Sequence, residues 1–252
     1  GEIAERIIKI YKRLQTTRRE QDILKRQLTQ NIAHELKTPV ASIQGYLETI
    51  LENPNISDTM REQFLQRSYA QSQRLTSLLQ DISTLNRMDD APEMTSTENV
   101  NLSTLVANIQ KETALQLQQK DMTFNNLMPD NIVVRGNQSL LYSVFRNLVE
   151  NSVKYAGRGT EVHLVLTQED AKFYHFYYFD TGKGVDAKHL PRIFERFYRV
   201  EEGRTRSEKN DKGGTGLGLS IVRNAVVFHG GTIWADNRKE GGLEFLFTLS
   251  KK

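Results

Sequence analysis

The sequence predicts an α+β protein with more than one domain: an antiparallel helical hairpin, followed by helices on one face of a mixed sheet. Three observations predict this fold class. The stretch from Glu2 to Glu52 has Gly45 as its only glycine and Pro39 as its only proline. A polar segment around Pro92 separates two halves of different pattern. After that segment, helix-like and strand-like runs alternate, which is typical of a layered α/β domain.

The first helix carries a coiled-coil seam. Its apolar residues recur at intervals of 4, 3 and 4, and the seam resumes after a polar patch; its members are Ile3, Ile7, Ile10, Leu14, Leu24 and Leu28. At about 1.5 Å per residue, a helix from Glu2 to Glu52 is a rod of roughly 75 Å. No single core of this size needs such a rod, so the seam predicts a partner helix.

A second helix is predicted from about residue 57 to Arg87, after the break at Asn53, Pro54 and Asn55. Its stripe consists of Phe64, Ser68, Gln71, Leu75, Leu78, Ile82 and Leu85. One hairpin buries a single face of each helix, so we expect a homodimer with a four-helix bundle. The predicted domains are residues 1–88, a linker at 89–99, and residues 100–252.

The second domain contains helix-like runs at 102–120, 138–155 and 216–229. Its strand-like runs are at 131–135, 161–168, 172–180, 231–236 and 243–249. We interpret the aromatic run from Phe173 to Phe179 as a central strand. The runs predict a mixed sheet with helices on one face.

Composition excludes several classes of protein. The 252 residues are 38% hydrophobic and 26% charged, with a net charge of +3, so nucleic acid is not implied as a partner. Cysteine is absent, which excludes disulfides and thiolate catalysis. No run reaches the roughly 18 apolar residues of a membrane-spanning helix. The basic excess within residues 1–26 indicates either a membrane-proximal start or a solvated helix face.

The hexapeptide from His34 to Pro39 is the most informative motif. It places an imidazole beside the carboxylate of Glu35, with the hydroxyl of Thr38 one helical turn later. Together these groups make a nucleophile and a candidate base, and Pro39 removes a backbone donor nearby. The alternative is an ordinary solvated histidine on a helix.

Two polar patterns in the second domain fit a nucleotide. Asn147, Asn151 and Lys154 lie 4 and 3 residues apart, so one helix face presents carboxamides for a hydrated Mg²⁺ and an ammonium for phosphate. Asp180 ends a strand before the glycine turn at 182–184, where its carboxylate is an acceptor for an adenine amino group. The alternatives are a polar helix face and an ordinary strand end.

Two further segments complete the pattern. Phe194 and Phe197 precede the polar stretch from Val200 to Lys212, which suggests either a nucleotide lid or an ordinary loop. The run from Gly213 to Ser220 opens a helix with backbone amides that favour an anion such as a triphosphate.

In their order and spacing, these motifs resemble the catalytic core of a bacterial sensor histidine kinase. The H-box corresponds to His34–Pro39, the N-box to Asn147–Tyr155, the first glycine box to Asp180–Gly184, the F-box to Phe194–Phe197 and the second glycine box to Gly214–Gly218. The resemblance covers nearly the whole chain. It implies a dimerisation and histidine-phosphotransfer hairpin followed by an ATP-binding α/β sandwich of the Bergerat fold.

The resemblance also implies residue roles. His34 would accept the γ-phosphoryl group of ATP, Glu35 would be the base, and Thr38 would position water for a phosphatase reaction. Asn151 would hold Mg²⁺ with support from Asn147, and Asp180 would bind adenine. The remaining nucleotide-binding positions would be Lys154, Tyr155, Gly182, Gly184, Arg199, Gly214, Gly216, Leu217 and Gly218.

The expected partners are a second copy of the chain and the receiver domain of a response regulator. Because the chain begins within a helix, we expect the cytoplasmic portion of a bacterial inner-membrane sensor, attached to the membrane only through missing upstream segments. Two alternatives stay open. One is an ATPase of the Hsp90, gyrase and MutL type, although Asn147 stands where those enzymes have a water-activating glutamate. The other is a non-catalytic dimeric scaffold.

Overall fold

The computed structural model describes residues 2–90, 96–200 and 214–251. The chain forms two compact units, Gly1–Leu79 and Gln80–Lys252. The second unit therefore includes the last turns of the second helix. Each unit is described by itself below.

The first unit is a helical hairpin, as predicted. Helix α1 spans Glu2–Glu52 and continues through Pro39, and helix α2 spans Asp58–Asp90. Tyr46 stacks on Phe64 with ring centroids 5.6 Å apart, and Glu35 pairs with Arg74. Moving back along α1 from Tyr46 to Glu35 corresponds to moving forward along α2 from Phe64 to Arg74, so the two helices run antiparallel.

The hairpin buries part of the predicted stripe of α2 and leaves apolar side chains of α1 exposed. Ser68, Gln71 and Leu78 are buried. On α1, the exposed apolar side chains include Ile7, Ile10, Leu14, Val40, Leu47 and Leu51. Val40, Ile43, Leu47 and Leu51 also line a shallow groove. A single copy of the hairpin thus leaves an apolar surface without cover.

The second unit contains the predicted mixed sheet. Its strands lie in the order β2-β4-β5-β7-β6, and among them only β2 and β4 are parallel neighbours. The strands are β2 Thr123–Leu127, β4 Glu161–Glu169, β5 Phe173–Asp180, β6 Ile233–Asn237 and β7 Leu243–Ser250. The aromatic strand β5 occupies the centre, which confirms its prediction.

Three helices supply the rest of this core: α3 Leu102–Gln118, α4 Gln138–Tyr155 and α5 Gly218–Phe228. Phe145 of α4 makes edge contacts with Phe176 and Phe247 of the sheet, at centroid distances of 6.0 and 5.9 Å. Phe176 and Tyr178 alternate along β5 with less buried side chains, as expected for a strand covered on one face. This packing fixes α4 against the sheet.

The sequence did not predict two short strands. Strand β1, Glu98–Asn101, pairs antiparallel with β3, Val133–Gly136, and β2 forms an edge of the larger sheet. Both missed strands are polar, with the sequences ENVN and TFNNL, so neither shows strand periodicity. Of the predicted linker, residues 89–90 lie in α2 and 98–99 in β1, while 91–95 lie outside the described residues.

A short 3-10 helix, Ala187–Arg192, follows β5. Helix α5 begins at Gly218, two residues later than predicted. Within the described parts of the chain, no helix has the length and apolar character needed to cross a membrane.

Candidate active site

His34 lies exposed on α1, one turn before Pro39. The Thr38 hydroxyl donates to the His34 carbonyl oxygen at 3.3 Å. Pro39 has no N–H, so the carbonyl of Glu35 lacks its usual helical donor at this point. The imidazole is thus accessible to a second reactant, on a turn with one missing backbone hydrogen bond.

The carboxylate of Glu35 faces α2. Its Oε2 lies 3.5 Å from a guanidinium nitrogen of Arg74, and both side chains are about three-quarters buried or more, with 24% and 19% of their surfaces exposed. The predicted base therefore pairs with Arg74 in this structure. The sequence did not predict Arg74 as a partner, because only hairpin packing brings the two together.

In the second unit, helix α4 is fixed at its start. The Asn137 side chain accepts from the Leu140 N–H at 3.0 Å and so caps the helix. The Asn137 N–H donates to Nε2 of His229 at 3.0 Å, and Nδ1 of His229 donates to the Ala225 carbonyl at 2.6 Å. Burial lowers the pKa of His229 below its usual value. A neutral imidazole therefore ties the start of α4 to the end of α5.

The polar face of α4 lies against the glycine loop that opens α5. A Cβ built on Gly218 would meet Oδ1 of Asn147 at 2.7 Å, and one on Gly214 would meet the Tyr155 hydroxyl at 3.4 Å. The Gly214 N–H donates to that hydroxyl at 3.4 Å. The structure therefore brings together both ends of the predicted N-box face and both ends of the predicted loop.

The predicted metal and phosphate ligands lie on this same face of α4. Asn147 donates to the Ser143 carbonyl at 2.8 Å, so its amide is already engaged. Lys154 pairs with Glu150 at 3.6 Å and stays half-exposed. Asn151 is half-buried, and within the described residues its carboxamide has no hydrogen-bond partner. Toward the described residues, that carboxamide oxygen is open to a ligand.

The loop holds a fixed shape. Gly216 has φ +75°, and a Cβ there would lie 2.9 Å from the backbone of Phe197. Phe197 itself has φ 63° and donates its N–H to the Gly216 carbonyl at 2.9 Å. Leu217 is fully buried, and its N–H donates to the Thr215 hydroxyl at 3.2 Å. The F-box and the second glycine box are thus joined directly.

Most of the predicted lid, residues 201–212, lies outside the described residues. Arg199, near the end of the described stretch, is half-buried.

Asp180 ends β5 in a buried pocket. Its Oδ1 accepts from the N–H groups of Gly182 and Leu243 at 3.0 and 3.3 Å. Its Oδ2 accepts from the Ser152 hydroxyl at 3.0 Å, and that hydroxyl accepts from Tyr178 at 3.0 Å. Burial raises the pKa of Tyr178, which keeps its phenol protonated as a donor. These bonds hold the carboxylate in one orientation.

Near Asp180, two glycines stand where any side chain would collide with the surrounding protein. A Cβ on Gly182 would lie 2.5 Å from the Ala156 carbonyl oxygen, and one on Gly184, at φ +69°, would lie 2.4 Å from Oδ1 of Asn237. The Asn237 side chain also bonds both backbone polar groups of Val185, at 2.9 and 2.6 Å. The walls of this pocket therefore have no room for larger residues.

The carboxylate of Asp81 contacts the second glycine box. Thr215 donates to Oδ2 of Asp81 at 2.9 Å, and Asp81 belongs to the part of α2 that lies in the second unit. Burial raises the pKa of Asp81 above its usual range, and the Thr215 hydrogen bond partly opposes this. Eight residues later, Asp89 accepts two hydrogen bonds from Arg196, at 2.9 and 2.8 Å.

The sequence did not predict several of these side chains, among them Arg74, Asp81, Ser152 and Asn237. Ser152 was detectable in principle, because it interrupts the apolar stripe of α4 between Leu148 and Ala156. The others gave no local signal.

The residues present fit a Mg²⁺ ion that is held together with a nucleotide. Within the described parts of the chain, no group of three or more histidine or acidic side chains forms a metal centre. Mg²⁺ in nucleotide sites commonly takes one or two protein ligands beside water and phosphate oxygens. A single carboxamide at Asn151, on the helix face that meets the predicted phosphate loop, fits that demand.

Comparison with known proteins assigns both units. Residues 24–91 match the His Kinase A (phospho-acceptor) domain. Residues 136–252 match the family of histidine kinase-, DNA gyrase B-, and HSP90-like ATPases. The helix that carries His34 thus matches a phospho-acceptor domain, and the domain that carries Asp180 matches an ATPase family. With both domains present, the chain belongs to the sensor histidine kinases.

Individual relatives agree. The chain is 29% identical over 94% of its length to the sensor histidine kinase WalK of Bacillus subtilis, of which it spans 38%. It is 33% identical over 82% of its length to the phosphate regulon sensor protein PhoR of Pseudomonas aeruginosa, of which it spans 45%. The chain therefore spans less than half the length of either relative.

The solved structures give the same fold. Histidine kinase ThkA, in complex with the response regulator protein TrrA, superposes with a TM-score of 0.69 over 90% of this chain and 61% of that one, at 18% identity. The hairpin followed by a mixed α/β sheet is thus the architecture of histidine kinase cores.

Proposed function

We propose that the protein uses ATP to phosphorylate His34 and passes the phosphoryl group to an aspartate of a response regulator. One observation carries the proposal: the same chain holds an exposed histidine in a phospho-acceptor domain and, in its second unit, a glycine loop facing the polar side of α4.

The reaction has two steps. An unprotonated imidazole nitrogen of His34 attacks the γ-phosphorus, the bond to the β,γ-bridging oxygen breaks, and ADP leaves. The regulator's aspartate then attacks that phosphorus, and the N–P bond breaks. Since the reacting groups supply the bonds, the protein contributes mainly position and charge stabilisation.

The chain's residues divide this work. Asp180, held by Ser152 and two N–H groups, accepts a hydrogen bond from the adenine amino group. Gly182 and Gly184 would border the ring without side chains, and Gly214, Gly216, Leu217 and Gly218 provide the phosphate loop. Tyr155 borders the nucleotide, and Lys154 and Arg199 face its phosphates. Asn151, supported by Asn147, would hold Mg²⁺, which when bound neutralises phosphate charge.

Glu35 takes the imidazole proton, which requires its side chain to turn from Arg74 toward His34. Adjacent residues on a helix point about 100° apart, and the long glutamate side chain can span that difference. In the structure the Glu35 carboxylate is paired with Arg74 instead.

Phosphatase activity toward the regulator is a second proposed function. It is favoured by the exposed hydroxyl of Thr38, one turn after His34. The ATPase alternative is disfavoured because Asn147, which has no carboxylate, occupies the position of the water-activating glutamate.

We also propose the assembly. The exposed seam residues Ile7, Ile10 and Leu14 and the groove near Leu47 would pack against a second copy in a four-helix bundle. The proposed domains are residues 1–88, a linker at 89–99 and 100–252. We propose that they form the cytoplasmic part of a bacterial inner-membrane sensor, since the chain spans less than half the length of the relatives named as sensors.

Phosphorylation of purified protein with labelled Mg-ATP tests the main proposal. We expect an acid-labile, base-stable phosphate that His34→Gln abolishes and the control His175→Gln retains. Asn151→Ala should lose labelling while the protein stays a dimer by analytical ultracentrifugation. Labelling that persists in His34→Gln would rule out the assignment.

A further inference from the structure

The carboxylate of Asp81 reaches the loop that the proposed function assigns to phosphate. Its Oδ2 accepts the Thr215 hydroxyl at 2.9 Å, and Thr215 lies between Gly214 and Gly216. The same hydroxyl accepts from the Leu217 N–H at 3.2 Å, so Thr215 is oriented from both sides. A negative group thus sits directly on an anion-binding loop.

The charges around Asp81 reinforce this placement. Lys154 and Glu150 are near enough to act on Asp81 electrostatically, Lys154 stabilising its ionised form and Glu150 opposing it. The Lys154 ammonium also lies 3.9 Å from where a Cβ on Gly214 would stand. Asp81 therefore shares the cation that the phosphates of a nucleotide would use.

A separate contact holds the segment that carries Asp81. Asp89 binds Arg196 through both carboxylate oxygens, and Leu85, between the two aspartates, is buried at 3% exposure. Residues 80–90 are thereby anchored to the F-box side of the nucleotide site. Asp81 is half-buried, so solvent screens its charge only partly.

We propose that Asp81 sets the affinity for nucleotide phosphates by competing with them electrostatically at Thr215 and Lys154. The proposal rests on nucleotide binding at this loop. The proposal makes Asp81 a specificity-determining residue. The repulsion between its carboxylate and the ligand grows with the number of phosphates and is absent for adenosine. A polyphosphate enters only as Asp81 withdraws from the loop or is neutralised.

The test compares Asp81→Asn and Asp81→Ala with the wild-type chain, by calorimetric titration with ATP, ADP and adenosine. Asparagine keeps an acceptor for Thr215 but removes the charge, and alanine removes both. We expect both variants to bind ATP more tightly, by on the order of tenfold at low salt, and ADP by a smaller factor. Adenosine affinity should not change, and the gain should shrink at high salt.

Asp89→Asn is the matched control, since it removes an equal charge from the same segment at a carboxylate that faces Arg196. It should leave the ratio of ATP to adenosine affinity unchanged. A purely structural role predicts that Asp81→Asn behaves as wild type and Asp81→Ala binds all three ligands more weakly, and that result would overturn the proposal. Wild-type protein that binds none of the ligands would instead contradict the proposed function.

Discussion

The Ser152 hydroxyl donates a 3.0 Å hydrogen bond to Oδ2 of Asp180 and accepts one from the Tyr178 hydroxyl at 3.0 Å. All three side chains are buried. Helix α4 and strand β5 are therefore joined by a polar chain inside the core, at the point where the proposed adenine ligand is held. Low dielectric makes such a chain expensive to leave incomplete.

We predict that Ser152→Ala lowers the free energy of unfolding by about 1–3 kcal/mol, because it removes the hydrogen-bond partner of Asp180 Oδ2 and of the Tyr178 hydroxyl inside the core. Urea denaturation of the full chain measures this change. Ser143→Ala is the control, since that hydroxyl bonds only a carbonyl of its own helix. An equal loss of unfolding free energy in both variants would show that the hydrogen bonds from Tyr178 through Ser152 to Asp180 add no stability.

Gly182→Ala should destabilise the second unit and weaken ATP binding. The new Cβ would stand 2.5 Å from a backbone oxygen of Ala156, so the pocket wall must shift. Overpacking of this kind costs about 1–3 kcal/mol. Gly45→Ala serves as a control, because nothing lies within 4 Å of its Cβ and it should stabilise α1 slightly. Thermal unfolding and ATP titration would detect the difference, and wild-type ATP affinity in Gly182→Ala would contradict it.

His229 gives the protein a pH-dependent stability. Burial lowers its pKa in the folded state below the ordinary value of 6.5. The unfolded chain therefore binds the proton more readily, so this contribution is complete above pH 6.5 and is lost as the pH falls toward the folded pKa. Each unit of that pKa difference is worth about 1.4 kcal/mol.

Urea denaturation between pH 7.5 and 5 measures the effect. The free energy of unfolding of the wild-type chain should fall over this range. That of His229→Gln should fall by less, although this variant should be less stable than wild type at pH 7.5. His175→Gln is the comparison, since His175 is only partly buried beside Asp170. If the free energy of unfolding depended on pH in the same way for wild type and His229→Gln, His229 would not be the cause.

Glu35 and Arg74 should be coupled in the stability of the hairpin. Their largely buried ion pair predicts a coupling free energy of about 0.5–1.5 kcal/mol in a double-mutant cycle of Glu35→Gln and Arg74→Ala. Arg67→Ala, at an exposed position of the same helix, should show no coupling with Glu35→Gln. Strictly additive effects for Glu35 and Arg74 would mean that the pair contributes nothing in solution.

Local pattern predicted much of this fold. Helix α4 and its polar face follow from the spacing of Asn147, Asn151 and Lys154, and the central strand β5 follows from its aromatic run. Strands β1 and β2 could not be predicted, because their polar residues become strands only by pairing with β3 and β4. Their hydrogen bonds come from distant parts of the chain.

The sequence by itself determined the reactive groups, their order and the family to which the chain belongs, because each motif is a short run with local spacing. Only the tertiary structure decided the partners of those groups. It turned Glu35 toward Arg74, placed Ser152 against Asp180, and brought Asp81 to Thr215 across 134 positions of the chain. The physical reason is that side-chain direction and long-range packing set these contacts, and neither is encoded in local periodicity.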